Sequence, residues 1–205
     1  MRSDNMIMRK VSPSSPSSLL STLQAVLLTL VMSVMLFAGS SVQAAPAPHI
    51  ADEVGAARLA GEGTFRWYGF SVYDAALWVG ERGYSSAKPD AAPFVLDLRY
   101  ARALEGQKIA EASVEEIEKL GLGTGPQRAA WLAKMSAIFP DVKEGNHLSG
   151  AYLPGVGVRF YLDGKAIAEV QDLAFARAFF AIWLDPATSA KNLRVALLLN
   201  AAPSP

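Results

Sequence analysis

Gly63-Thr-Phe-Arg-Trp-Tyr-Gly-Phe-Ser-Val-Tyr-Asp-Ala-Ala-Leu-Trp78 is the stretch whose reading decides the fold. It is crowded with aromatic and β-branched residues, which suit a half-buried pleated surface. Gly69 breaks it in the middle. The stretch reads as two strands, 59–68 and 70–79, on either side of that glycine. Strict alternation in the second places Phe70, Val72 and Asp74 on one face and Ser71, Tyr73 and Ala75 on the other.

Working outward, residues 80–93 form a loop by their Gly, Ser, Pro and Asp content. Residues 94–100 read as a third strand, with Phe94, Leu96 and Leu98 inward and Val95, Asp97 and Arg99 outward. The period then changes. Over 107–120, Ala110, Val114, Ile117 and Leu120 share one helical face, and Gly121 can close the helix. Thr124 can cap a second helix with Pro126 in its first turn and Trp131, Met135 and Ile138 on its apolar side. Pro140 stops it. Three more strands follow at 147–153, 158–162 and 165–170, and Asp163-Gly164 is a two-residue hairpin signal. Asp172 then caps a helix over 173–184 that is apolar all round and so belongs inside the fold. Asp185-Pro186 leads into a last helix over 187–199. This order predicts an α+β protein, a large antiparallel sheet with helices layered on one face.

The N-terminus reads as an address rather than as part of that fold. Arg9 and Lys10 precede an uncharged apolar run over 25–38, and Val42-Gln-Ala44 offers small residues to a signal peptidase. The expected division is a cleaved signal peptide at 1–44, a linker at 45–57, one domain at 58–200 and a tail at 201–205. The protein is accordingly expected in the periplasm, touching a membrane only through the leader, or anchored there if cleavage does not occur. The 205 residues are 51% hydrophobic and 19% charged, enough for a sizeable core. Net charge is zero with no basic stripe, which argues against nucleic acid as a partner. There is no cysteine, hence no disulfide and no thiolate chemistry.

Few residues offer chemistry. The two histidines, His49 in the expected linker and His147 at an expected turn, lie on different elements and make no zinc site by spacing. No metal and no cofactor is expected. Glu111, Glu115, Glu116 and Glu118 read as a solvated helix face. Histidine is too scarce for a Ser-His-Asp triad, and no nucleophile elbow is present. Gly121-Leu-Gly-Thr-Gly125 follows a helix rather than a strand, so it is a C-cap joined to an N-cap rather than a phosphate loop. What remains is a group of arginines and tyrosines near the first strands. Arg58, Arg66, Tyr68 and Tyr73 are the candidate ligand-binding residues, with Arg99 and Tyr100 close behind. Arginine beside tyrosine can hold a carboxylate or phenolate through charge-assisted hydrogen bonds. The alternative is that the tyrosines are amphipathic sheet residues and the arginines are solvated.

These residues resemble the chalcone isomerase-like family in its exported bacterial branch. The resemblance rests on the opening stretch, Leu98-Arg-Tyr100, Gly106-Gln-Lys-Ile-Ala, the hairpin containing Gly164, and Phe179-Phe-Ala-Ile-Trp-Leu-Asp-Pro186 with Leu193-Arg194. It implies an open-faced β-sandwich with helices on one side. In the family's plant enzymes it implies an intramolecular ring closure of a chalcone, using an arginine, a threonine, and a helix-borne tyrosine, lysine and asparagine. Here those positions hold Phe65, Tyr68, Ile109, Ala112 and Glu116, an apolar set with a carboxylate that would oppose a developing enolate. Non-catalytic members bind fatty acids through an arginine and a tyrosine. The leading expectation is therefore an exported, non-catalytic binder of a small apolar or carboxylate-bearing ligand. The alternatives are an intramolecular lyase acting on an enone-like substrate, and a structural or partner-binding protein whose cleft is filled by its own side chains.

Overall fold

A computed structural model describes residues 45–203, and the expected leader at 1–44 lies outside them. The described residues form one compact unit with its own core. Six strands make one sheet in chain order, every neighbouring pair antiparallel. They are β1 (Arg58–Trp67), β2 (Phe70–Val79), β3 (Phe94–Tyr100), β4 (His147–Leu153), β5 (Gly157–Leu162) and β6 (Lys165–Val170). Between β3 and β4 come α2 (Gly106–Lys119) and α3 (Gly125–Ile138); after β6 come α4 (Leu173–Leu184) and α5 (Lys191–Leu197). These four helices share one core with a single face of the sheet, the face carrying Ala75, Leu77, Leu96, Leu98, Tyr152 and Phe160.

Local signals account for most boundaries. Thr124 accepts a hydrogen bond from the Gln127 backbone, and the Gln127 side chain accepts one from the Thr124 backbone, a reciprocal cap that starts α3. The Asp172 carboxylate accepts from the Phe175 amide at 3.0 Å and starts α4. That helix buries Phe175, Phe179, Phe180, Ile182 and Trp183, as its all-round apolarity requires. At the β5–β6 turn both Asp163 (φ 48°) and Gly164 (φ 78°) are left-handed, matching the turn that the Asp-Gly pair predicts. The last helix begins four residues later than expected. The Thr188 hydroxyl oxygen accepts from the Ala190 amide while its proton goes to the Ile182 carbonyl, which holds 187–190 in a turn.

The segment expected as a linker instead contains a helix, α1 (Pro48–Val54), on the other face of the sheet. Ile50 and Val54 pack there with Trp78, Val95, Ala151 and Tyr161. Seven residues with Pro48 at the start are too short to announce themselves by periodicity, so the apolar partners across the sheet decide this element.

Beside α1 the chain's two histidines converge, although their spacing suggested that they were unrelated. His49 is buried, and its Nε2 lies 3.0 Å from the Ser149 hydroxyl. Ser149 donates to Asp97 at 2.6 Å, so the Nε2–H of His49 must be the donor to Ser149. The other Asp97 oxygen accepts from His147 Nδ1 at 2.7 Å. Burial pushes the His49 pKa below its ordinary value, outweighing the pull of Asp97. A base whose folded pKa is depressed stabilises the fold fully above its unfolded pKa of about 6.5. That contribution is lost as pH falls through 6.5 toward the folded value. Urea denaturation at pH 7.5 and 5.5 should therefore find a less stable domain at the lower pH, with the difference reduced in His49→Gln. An unchanged difference in His49→Gln would remove His49 as its source.

Candidate ligand cleft

The site follows from an irregularity in the pairing of β1 with β2. Phe65 pairs with Tyr73 but Arg66 pairs with Ser71, so Val72 is an extra residue bulged out of β2. Strict alternation would set Phe70 and Tyr73 on opposite faces. The bulge shifts the count by one, and Val72, Tyr73, Phe65 and Trp67 all line a single cleft. Its other walls are Leu98 and Tyr100 from β3, Ile109, Ala112, Ser113 and Glu116 from α2, and Phe179, Ile182 and Trp183 from α4. The cavity measures about 410 Å³ and its lining is mostly apolar.

Two phenols supply polarity inside it. Tyr73 and Tyr100 face each other across β2 and β3, their rings 5.9 Å apart. Trp183 Nε1 donates to the Tyr73 oxygen at 3.0 Å, which leaves the Tyr73 proton free. Tyr100 has no hydrogen-bond partner among the described residues. Burial raises the pKa of Tyr73, against the Trp183 bond and with help from the Glu116 charge. Burial likewise raises Tyr100, with Tyr73 adding to it. Both are neutral donors at any physiological pH.

Charges gather toward the rim. Arg102 is exposed, lines the cleft, and forms no ion pair among the described residues. Lys108 is paired with Glu111 at 2.8 Å, and Lys119 with Glu116 at 2.7 Å. Burial alone would raise the Glu116 carboxyl, but hydrogen bonds from Lys119 and Ser189 outweigh it and hold it below the usual range. Glu116 is thus ionised in the cleft wall.

Of the four arginine and tyrosine candidates, the structure brings only Tyr73 into this cleft. Arg58 donates to the carbonyls of Asn200 and Ala202 and ties β1 to the C-terminal segment. Arg66 faces away, because this bulge lies in β2 and Phe65, Arg66 and Trp67 still alternate along β1. There its charge acts on Asp74, which also accepts from Thr64 and Arg99. Tyr68 stands at the hairpin tip, 86% exposed. Tyr100, named above behind those four, also lines the cleft, and Arg102 is the residue that was not foreseen. Tyr100 continues the inward alternation of Phe94, Leu96 and Leu98, whereas the place of Arg102 depends on the turn after β3, which no periodicity describes. Phe65, Ile109, Ala112 and Glu116, the positions that the resemblance assigned to a catalytic set, do line the cleft.

Two other depressions carry polar groups that already satisfy one another. One, of about 420 Å³ beside α4, has Asp90 held by the Tyr152 hydroxyl and by Arg177, each at 2.7 Å. The other, on the α1 face, contains the histidine network. Among the described residues no cluster of histidines and carboxylates could hold a metal ion.

Comparison with known proteins agrees with this architecture. A protein of Haemophilus influenzae described as uncharacterized is 31% identical over 138 residues, 67% of this chain and 66% of that one. The chain therefore spans just under two thirds of the length of that curated relative. The crystal structure of an Arabidopsis thaliana fatty-acid binding protein superposes with a TM-score of 0.58 at 15% identity, covering 72% of this chain and 89% of the other. At that identity the likeness shows the fold alone. The family model described as chalcone isomerase-like matches residues 52–199, from α1 through α5 and so every strand and helix that builds the cleft. The chain belongs to the chalcone isomerase-like family.

Proposed function

We propose that this protein is an exported, non-catalytic binder of a small apolar ligand with an oxygen-bearing head, of which a fatty acid is the simplest example. The observation that carries the reading is the pair of unused phenol donors, Tyr73 and Tyr100, inside a mostly apolar cleft. An acyl chain would lie against Leu98, Ile109 and Phe179, and its head would accept from the two hydroxyls. Arg102 at the rim would supply opposite charge. A volume of about 410 Å³ falls within the range usual for small-molecule sites and disfavours the filled-cleft reading. The structural likeness to a fatty-acid binding protein is consistent with it. Export rests on the leader signals at 1–44, with the periplasm as destination.

The intramolecular lyase is disfavoured by the same walls. A developing enolate needs a cation at the reacting oxygen, and the cleft's lysines are already committed, Lys108 to Glu111 and Lys119 to Glu116. Titration of residues 45–205 with oleate should give saturable binding. Tyr100→Phe should weaken it about ten-fold, the value of roughly 1.4 kcal/mol for a hydrogen bond to a charged head. Its melting temperature should hold, because that hydroxyl has no partner among the described residues. Arg102→Ala should weaken binding similarly. Equal affinity for wild type and both variants would count against the site.

A further inference from the structure

The tip of the β1–β2 hairpin is built against its own conformational preference. The two turn residues are Tyr68 (φ 47°) and Gly69 (φ 85°), the same left-handed pair as Asp163-Gly164. Tyrosine in place of asparagine, aspartate or glycine costs backbone energy there. Little packing within the fold repays it, since Tyr68 is 86% exposed, its ring set edge-on to that of the neighbouring Trp67. Trp67 and Phe70 pair across the turn and are 58% and 70% exposed. Every large exposed aromatic residue among the described ones therefore sits on this one tip. Their chemistry points to a particular partner. Tryptophan and tyrosine, apolar in body and polar at the edge, settle where hydrocarbon meets headgroups. The adjacent cations fit an anionic surface. Arg66 is next in the chain and Arg102 shares the cleft rim with Trp67, and neither forms an ion pair among the described residues.

We propose that the tip formed by Trp67, Tyr68 and Phe70 is a bilayer-docking element that enters the headgroup region of an anionic membrane. Because Trp67 also lines the cleft, docking sets the cleft mouth against lipid. The proposal rests on the exposed tip and not on an occupied cleft, so either can fail without the other.

Residues 45–205, which lack the apolar run at 25–38, should sediment with vesicles of equal parts phosphatidylcholine and phosphatidylglycerol at low salt. The other three tryptophans are buried, at 8%, 4% and 5% exposure, so a blue shift in emission on vesicle binding reports Trp67. Brominated acyl chains should quench it. The double variant Tyr68→Gly with Phe70→Ser keeps that reporter and relieves the strained turn, and it should lose roughly ten-fold or more in vesicle partitioning. Absence of sedimentation and quenching in the wild type would overturn the proposal. So would undiminished binding by the double variant, or self-association without vesicles that the same substitutions abolish, since the tip would then be a contact between copies of this chain.

Discussion

Phe179→Ala is expected to lower stability by about 3–5 kcal/mol and the melting temperature by roughly 10 °C. Phe179 is 5% exposed and sits at the centre of the aromatic core. Its ring centroid lies 5.1 Å from Phe160, 5.2 Å from Trp183, 5.4 Å from Phe180, 5.9 Å from Phe175 and 6.1 Å from Phe139. The space left by truncation cannot close easily. Its neighbours come from α3, β5 and α4 itself, and all are held by contacts of their own. Gly150 beneath it marks how tightly α4 approaches the sheet, since a Cβ there would meet Phe180 at 3.3 Å and Phe179 at 3.5 Å. Because Phe179 also lines the cleft, the new cavity opens into the existing one. Urea denaturation measures the loss, and Phe179→Leu, which keeps most of the volume, should lose much less. A cost below about 1 kcal/mol for the alanine variant would mean that the aromatic cluster is not the fold's mechanical centre.

The elements that were legible are those whose signal is local. Thr124 with Gln127, Asp172 before an apolar run, and Asp163-Gly164 each fix a boundary through atoms within a few residues. The antiparallel sheet with helices on one face followed from the order of strand and helix patterns along the chain. The site was less legible, for reasons of register. A single extra residue at Val72 turns that side chain into the cleft beside Tyr73, and nothing at Val72 itself announces a bulge. Tyr68 stands among the candidates because arginine beside tyrosine can hold a carboxylate. Its place in a two-residue turn turned it outward instead. Asp97 shows the same limit from the other side. Alternation put it outward, and it does face away from the main core. Yet α1, seven residues too short to foresee, covers that face and brings His49 to Ser149 and thence to Asp97.

Gly106→Ala should cost about 3 kcal/mol and distort the cleft, whereas Gly125→Ala should be neutral or slightly stabilising. Both glycines open a helix, so propensity alone treats the two substitutions alike. What differs is space. A Cβ on Gly106 would fall 2.0 Å from the Phe139 carbonyl oxygen and 2.8 Å from the Pro140 carbonyl carbon, whereas nothing lies within 4 Å of one on Gly125. The obstructing atoms are backbone, so no side chain can swing aside and α2 itself must move. Its amide at Gly106 also donates to Asp141 at 2.9 Å, which pins the same corner. Displacing α2 moves Ile109, Ala112 and Glu116, the cleft wall opposite the tyrosine pair. Ligand affinity should therefore fall along with stability in Gly106→Ala and hold in Gly125→Ala. Equal thermal melts for the two variants would show that the α2–α3 corner is loose enough to absorb a methyl group. In that case the Gly106-Gln-Lys-Ile-Ala motif would owe its glycine to something other than this contact.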